Sequence, residues 1–236
     1  MNIRILGRLK GYFFRLNLHK VIPGKNLVFL GQLSDLSRWI STHRKIPFTD
    51  YYSAGFDYNK RFQLYSYIIE SENITSKIDY LEFGVSRGFS FRWWSEHVKD
   101  PNSRFYGFDT FNGLPEDWGP FKKGAMSNGN VPPELNDERC KFYQGLFQQT
   151  LQPFLATYKP NHRRIIHMDA DLYSSTLYVL TSISAYLRKG DIILFDEFNV
   201  PRHEFKAFIE WTSSFYIEYE VLGSVNNFYQ VAFRLK

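Results

Sequence analysis

The sequence predicts an α/β fold: one open, mostly parallel sheet from about residue 58, with a helical or irregular arm before it. Three observations predict it. Short apolar runs alternate with segments of helical period from residue 58 to the end of the chain. Glycines and acids recur where those runs stop. The last two runs lie too close together for a crossover and so pair antiparallel.

The elements follow in order. YNKRFQLYSYIIESE (58–72) carries the helical period, and IDYLEFGV (78–85) is an apolar strand that ends in a glycine turn. SFRWWSEHVK (90–99) reads as a helix and RFYGFD (104–109) as a strand. Residues 112–138 hold Gly113, Pro115, Gly119, Pro120, Gly124, Gly129, Pro132 and Pro133, a long irregular loop of the kind that compact domains reserve for function. KFYQG (141–145) is a strand and LFQQTLQPFLATY a helix. RRIIHMD (163–169) is a strand, and SSTLYVLTSISAYLRK is a helix with Gly190 as its C-cap. DIILFDE (191–197) is a strand, and HEFKAFIEWTSS is a helix with Pro201 near its start. FYIEYEVL and NNFYQVAFRLK are strands joined through Gly223-Ser224-Val225. That makes seven strands with helices between them. The division is an arm, 1–57, and a domain, 58–236.

The 236 residues, 44% hydrophobic, suffice for one domain with a substantial core, and the 19% of aromatic residues is enough to line a pocket as well. A single cysteine, Cys140, excludes an internal disulfide and suits a reducing, cytoplasmic setting. No apolar run reaches the ~18 residues of a membrane span, and no signal peptide is visible. The net charge of +5 is uneven: residues 1–34 hold Arg4, Arg8, Lys10, Arg15, Lys20 and Lys25 and no acid. Leu6, Leu9, Phe13 and Leu16 recur at helical spacing, with Arg4, Arg8 and Arg15 on the other face. The plainer reading packs this helix on its own domain or on a second subunit of a homo-oligomer. The alternative lays it on an acidic membrane, which would make the protein membrane-peripheral. No nucleic-acid recognition motif accompanies the charge, so no nucleic-acid partner is expected.

In open α/β sheets ligands bind beyond the carboxyl ends of the strands. Those ends carry Glu82, Gly84, Ser86 and Gly88, then Asp109, Thr110 and Phe111, then Gly145, then Asp169 and Asp171, then Asp196 and Glu197. Gly84 and Gly88 permit a close backbone approach, and their spacing departs from the dinucleotide fingerprint. Asp109, at the end of the next strand, is placed to accept hydrogen bonds from a ribose diol. A glycine turn plus a distant acid suits a nucleoside-bearing cofactor without a pyrophosphate, such as S-adenosylmethionine.

Asp169 and Asp196 are one strand–helix–strand unit apart, so their strands are expected to be neighbours, with Glu197 beside them. Converging carboxylates repel unless a cation lies between them, and Mg²⁺ fits an all-oxygen set of Asp169, Asp196 and Glu197. Such an ion would activate a substrate hydroxyl. The competing reading uses Asp169 or Asp171 to cap the helix that begins near Ser174, and Asp196 to cap the next one. His203 and Asp169 are both candidate catalytic bases, and His167 reads as a buried, hydrogen-bonded histidine. Loop 112–138, with Trp118, Phe121 and Met126, and the aromatic segment 39–58 would form a lid.

FYGFDTFNGLPEDW, GLFQQTL, IIHMDADLYSSTLYVL and KGDIILFDEFN together resemble the TylF-type (macrocin O-methyltransferase-like) family of class I S-adenosylmethionine-dependent methyltransferases, over about Arg61 to Phe205. The resemblance implies a Rossmann-like, seven-stranded sheet with an antiparallel last strand and O-methylation of a sugar or other small-molecule hydroxyl. It implies cofactor contacts at Glu82, Gly84, Ser86, Asp109, Thr110 and Phe111, and a divalent metal at Asp169 and at the acid pair after the fifth strand. The family's usual pair is Asp-Asp followed by Tyr; here it is Asp196-Glu197-Phe198. That departure keeps open a cofactor-binding protein with metal-independent or lapsed chemistry. A nucleotide-dependent oxidoreductase is the other rival, and it lacks its glycine fingerprint.

Overall fold

A computed structural model describes residues 3–236. Seven α-helices are described: α1 (Ile3–Arg15), α2 (Gly24–His43), α3 (Lys60–Ser71), α4 (Phe89–His97), α5 (Phe147–Thr157), α6 (Tyr173–Ile183) and α7 (Glu204–Ser214). The strands are β1 (Phe48–Thr49), β2 (Ile78–Phe83), β3 (Arg104–Asp109), β4 (Cys140–Gln144), β5 (Arg163–Met168), β6 (Ile192–Phe195), β7 (Tyr219–Val225) and β8 (Gln230–Leu235). They form one sheet in the order β1-β7-β8-β6-β5-β2-β3-β4. Only β8 runs antiparallel to its neighbours, as the short final connection requires.

The expected count of seven strands is corrected to eight. The extra strand comes from the arm: Phe48 and Thr49 pair parallel with Gly223 and Ser224 on the β7 edge. A two-residue strand is too short to leave a periodic signal. The final turn also moves. β7 runs on through Val225, with a register shift between Val221 and Gly223, and Asn226, Asn227 and Phe228 turn with positive φ. Asn tolerates that conformation well, which places the turn there.

The sheet separates two apolar layers. Phe83, Phe108, Met168 and Phe195 face α5, α6, α7 and the end of α2, while Tyr80, Phe105, Ile165 and Leu194 face α3 and α4. Helices therefore cover both faces. α6 stops at Ile183 and tightens into a short 3₁₀ turn, so Gly190 is not its cap. Ser184 explains the early end: its hydroxyl bonds back to the Leu180 carbonyl at 2.6 Å and accepts from Trp211 Nε1 at 2.6 Å.

The arm enters the core through Trp39, which the sequence placed in a lid. Its ring meets Phe198, Phe205, Phe228 and Phe233, and its Nε1 donates to Tyr219 Oη at 3.0 Å. By contrast, no described residue of α1 is buried, so the reading in which α1 packs on its own domain does not hold. Trp39→Ala is expected to lower unfolding stability by about 3 kcal/mol in a urea titration, the cost of a large aromatic lost from a core. A loss below about 1 kcal/mol would show that α2 is not docked.

Candidate functional site

The parallel register builds the site. Phe83, Phe108, Met168 and Phe195 stand in one row across β3, β2, β5 and β6. The next residue of each strand continues the ladder: Gly84 N–H donates to Phe108 O, Asp169 N–H to Phe83 O and Asp196 N–H to Met168 O, all at 2.9–3.0 Å. Gly84, Asp109, Asp169 and Asp196 therefore emerge together at the carboxyl edge. Asp169 and Asp196 do end neighbouring strands.

Gly84 is required there for a reason the sequence concealed. It sits at φ +96°, and a Cβ on it would lie 1.7 Å from the Asp169 carbonyl oxygen. The glycine admits a neighbouring strand end. A Cβ on Gly88, which opens α4 at φ +74°, would meet Pro133 of the long loop at 2.8 Å. Asp109 ties the first turn to the second: Oδ2 accepts from Ser86 N–H and Oδ1 from Phe111 N–H, both at 2.7 Å.

Beyond these ends lies a cleft of about 490 Å³. Gly84, Ser86, Asp109 and Thr110 line it together with Asp169, Asp171 and Glu197. Leu114 and Met126 of the long loop, Phe147 of α5 and Tyr58, just before α3, supply the apolar and aromatic surface. The remaining expected cofactor residues lie behind these walls. Glu82 is buried, accepts from Tyr80 Oη at 2.5 Å and stands 3.7 Å from His167 Nδ1. Phe111 is buried in the layer under α4, and Gly145 N–H donates to the Asp109 carbonyl. His167 is the buried, bonded histidine expected, between Tyr65 and Tyr80.

The acids divide differently from the expectation. Ligand oxygens of Asp169, Asp171 and Glu197 lie within 4.8 Å of one another. Asp196 turns away, accepts from Tyr58 Oη and stands 3.6 Å from the Arg61 guanidinium, which lies over the Tyr58 ring. Asp171, at φ +56°, does not cap α6; the residue before that helix is Leu172, and no side-chain cap bond forms. Asp196 likewise does not cap α7, whose preceding residue is His203. A fifth acid, Glu204, is fully buried under the cluster and accepts from Glu197 N–H at 3.0 Å.

These carboxyls raise one another's pKa. Burial, then Asp196 and Asp109, push Asp171 up to about 7. Burial and the neighbouring acids also hold Asp169, Glu197 and Glu204 well above the usual range. Glu197 Oε2, Glu204 Oε1 and Asp196 Oδ1 are buried without a hydrogen-bond partner. An all-oxygen set of clustered carboxylates with orphaned acceptors fits a hard divalent cation. His203 stands apart from the cleft walls. Its Nδ1 accepts from Tyr173 N–H at 3.3 Å, its ring meets the edge of Trp118, and burial followed by Arg202 lowers its pKa.

Arg61, and the bond of Tyr58 to Asp196, escaped the sequence reading because each partner lies more than 130 residues away, and Glu204 escaped it because a helical glutamate seven residues past Glu197 reads as solvent-exposed. The DAD spacing exposes Asp171, but its place just before a helix makes it read as a cap.

Comparison with known proteins agrees with this geometry. The profile of a methyltransferase-domain family matches residues 81–198. No curated protein matches significantly. Among solved structures, the calicheamicin methyltransferase CalS11 superposes with a TM-score of 0.58 at 19% identity, covering 87% of this chain and 91% of that one. The O-methyltransferase NovP gives 0.53 at 19% identity, covering 89% and 98%. At such identity these structures share the fold. The family match spans half of the chain, from within β2 through the acid pair after β6, and the chain therefore belongs to the methyltransferase-domain family and is an enzyme of that class.

Proposed function

We propose that this enzyme transfers a methyl group from S-adenosylmethionine to a hydroxyl of a sugar or glycosylated small molecule, as a TylF-type O-methyltransferase with a divalent cation at Asp169, Asp171 and Glu197. The observation that carries the reading is the presence, in one cleft, of Asp109 together with the three clustered carboxylates.

Asp109 is held rigid by two backbone N–H donors and keeps lone pairs for a ribose diol. Leu114, Met126 and Phe147 offer apolar surface to a base and exclude water. When bound, S-adenosylmethionine supplies an already activated methyl, and a divalent cation supplies Lewis-acid polarisation of a hydroxyl. The protein's tasks are then to align the acceptor and to take its proton. Asp169 faces the cleft and is the assigned proton acceptor, since His203 lies outside the walls. Glu197 compensates for the departure from an Asp-Asp pair: its longer side chain reaches the cluster while Asp196 is held by Tyr58 and Arg61. CalS11, described as a TDP-rhamnose 3′-O-methyltransferase, shares the fold, which supports a sugar acceptor.

Titration calorimetry with S-adenosylhomocysteine tests the cofactor site. Binding is expected for the wild type, and Asp109→Ala is expected to weaken it at least ~10-fold, the value of charge-assisted bonds to two hydroxyls. No binding by the wild type would remove the proposal.

Melting curves test the cation site. A carboxyl whose folded pKa is raised contributes stability at low pH and loses it as pH climbs from its unfolded value through its folded one. In chelator, Tm is therefore expected to fall between about pH 4 and pH 7, the window bounded by an unperturbed Asp and by Asp171. Mg²⁺ or Mn²⁺ is expected to restore it near pH 7.5, and Asp171→Asn to flatten the slope. A pH profile indifferent to metal would count against the site.

A further inference from the structure

We propose that residues 3–34 form an interfacial anchor that lies on a bilayer surface rich in anionic lipid. α2 is docked only at its end: Leu36 and Trp39 are buried, while Leu27, Val28, Phe29, Leu30 and Leu33 are all exposed. The exposed surface continues through Val21 and Ile22 into α1, where Leu9 and Phe13 are exposed and Phe14 reaches 71%. Single apolar residues at a surface are ordinary; a run of this size marks an interaction face.

Charge decides what covers it. The arm holds six Lys and Arg and no acid, whereas the other 202 residues hold 23 bases and 24 acids. The whole positive excess of the protein sits on its most apolar exposed segment. A second arm would add six cations to six, and the remainder of the chain, with 23 bases against 24 acids, offers a single net negative charge to receive them. An anionic lipid surface supplies the missing sign and an apolar layer beneath it. In α1, Ile5, Leu9 and Phe13 share one face, and Arg8 and Arg15 flank it on one side. That is the layout of a helix lying in the interface plane, with bases directed to headgroups. At 13 residues it extends only ~20 Å, and no described helix is long and apolar enough to cross a membrane. Tyr12 is of the type enriched at headgroup depth, and Phe13 and Phe29 are of the type that interfacial helices bury beneath it.

Flotation of the full chain with vesicles of phosphatidylcholine alone, or with about one third phosphatidylglycerol, tests the inference beside mass measurement by light scattering. The wild type is expected to float with the anionic vesicles at ~0.1 M salt, to leave them in high salt, and to ignore the neutral ones. Each surface cation contributes roughly fivefold to partition, so Arg8→Glu with Arg15→Glu is expected to lower it at least ~25-fold. Leu9→Ser with Phe13→Ser is expected to abolish flotation. Both double variants should melt as the wild type does and keep its S-adenosylhomocysteine affinity, since α1 buries nothing. Absent or charge-independent flotation overturns the inference. So does a lowered melting point in either variant, or a dimer that the Leu9/Phe13 variant dissociates while the wild type ignores vesicles; the last result would assign the face to a second copy.

Discussion

The register of four parallel strands is the constraint on which the site depends. Phe83, Phe108, Met168 and Phe195 form a single row packed under α5, α6 and α7. Because side chains alternate between faces, fixing that row in the core fixes the next row at the sheet's edge. Gly84, Asp109, Asp169 and Asp196 have no freedom to move separately. Their ladder bonds carry the sheet one residue past the strands, and Gly84 lets the end of β5 press against the end of β2 at a distance no side chain would allow. The chemistry is thus positioned by the hydrophobic core, whose apolar burial supplies the stabilisation.

The energetic tension lies in the acids. Asp169, Asp171, Asp196, Glu197 and Glu204 converge, and the guanidinium of Arg61 is the cation that reaches Asp196. Like charges placed together in a dry site are costly unless protonated or paired. The structure distributes them. One oxygen of Asp196 is held by Tyr58 and Arg61 and one of Glu204 by a backbone N–H, while Asp169, Asp171 and Glu197 line the cleft. The supporting layer is polar as well: Tyr80, His167 and Glu82 form a buried network beneath the same strand ends. Such networks hold side chains in one rotamer and so fix the geometry above them.

The arm is two things joined in one helix. The end of α2 belongs to the core, through an aromatic cluster around Trp39, and the segment after it adds a strand and delivers Tyr58 to the cleft. The preceding residues touch little of the folded body. The docked core and the exposed apolar surface therefore meet at Leu36.

By itself the sequence determined the alternation of strands and helices, the antiparallel end of the sheet, and the carboxyl-end positions of Asp109, Asp169 and Glu197. Those features are local: apolar period, turn chemistry and connection length are written in neighbouring residues. The tertiary structure decided what depends on pairs far apart in the chain. It alone joined Phe48 to β7, Trp39 to Phe198 and Tyr58 to Asp196. It also exchanged the roles of two aspartates. Asp171 has the look of a helix cap, yet it sits at positive φ and lines the cleft, while Asp196, a natural ligand by position, is taken by Tyr58, 138 places earlier. Spacing along the chain sets which residue ends a strand; only packing sets which way its carboxylate turns.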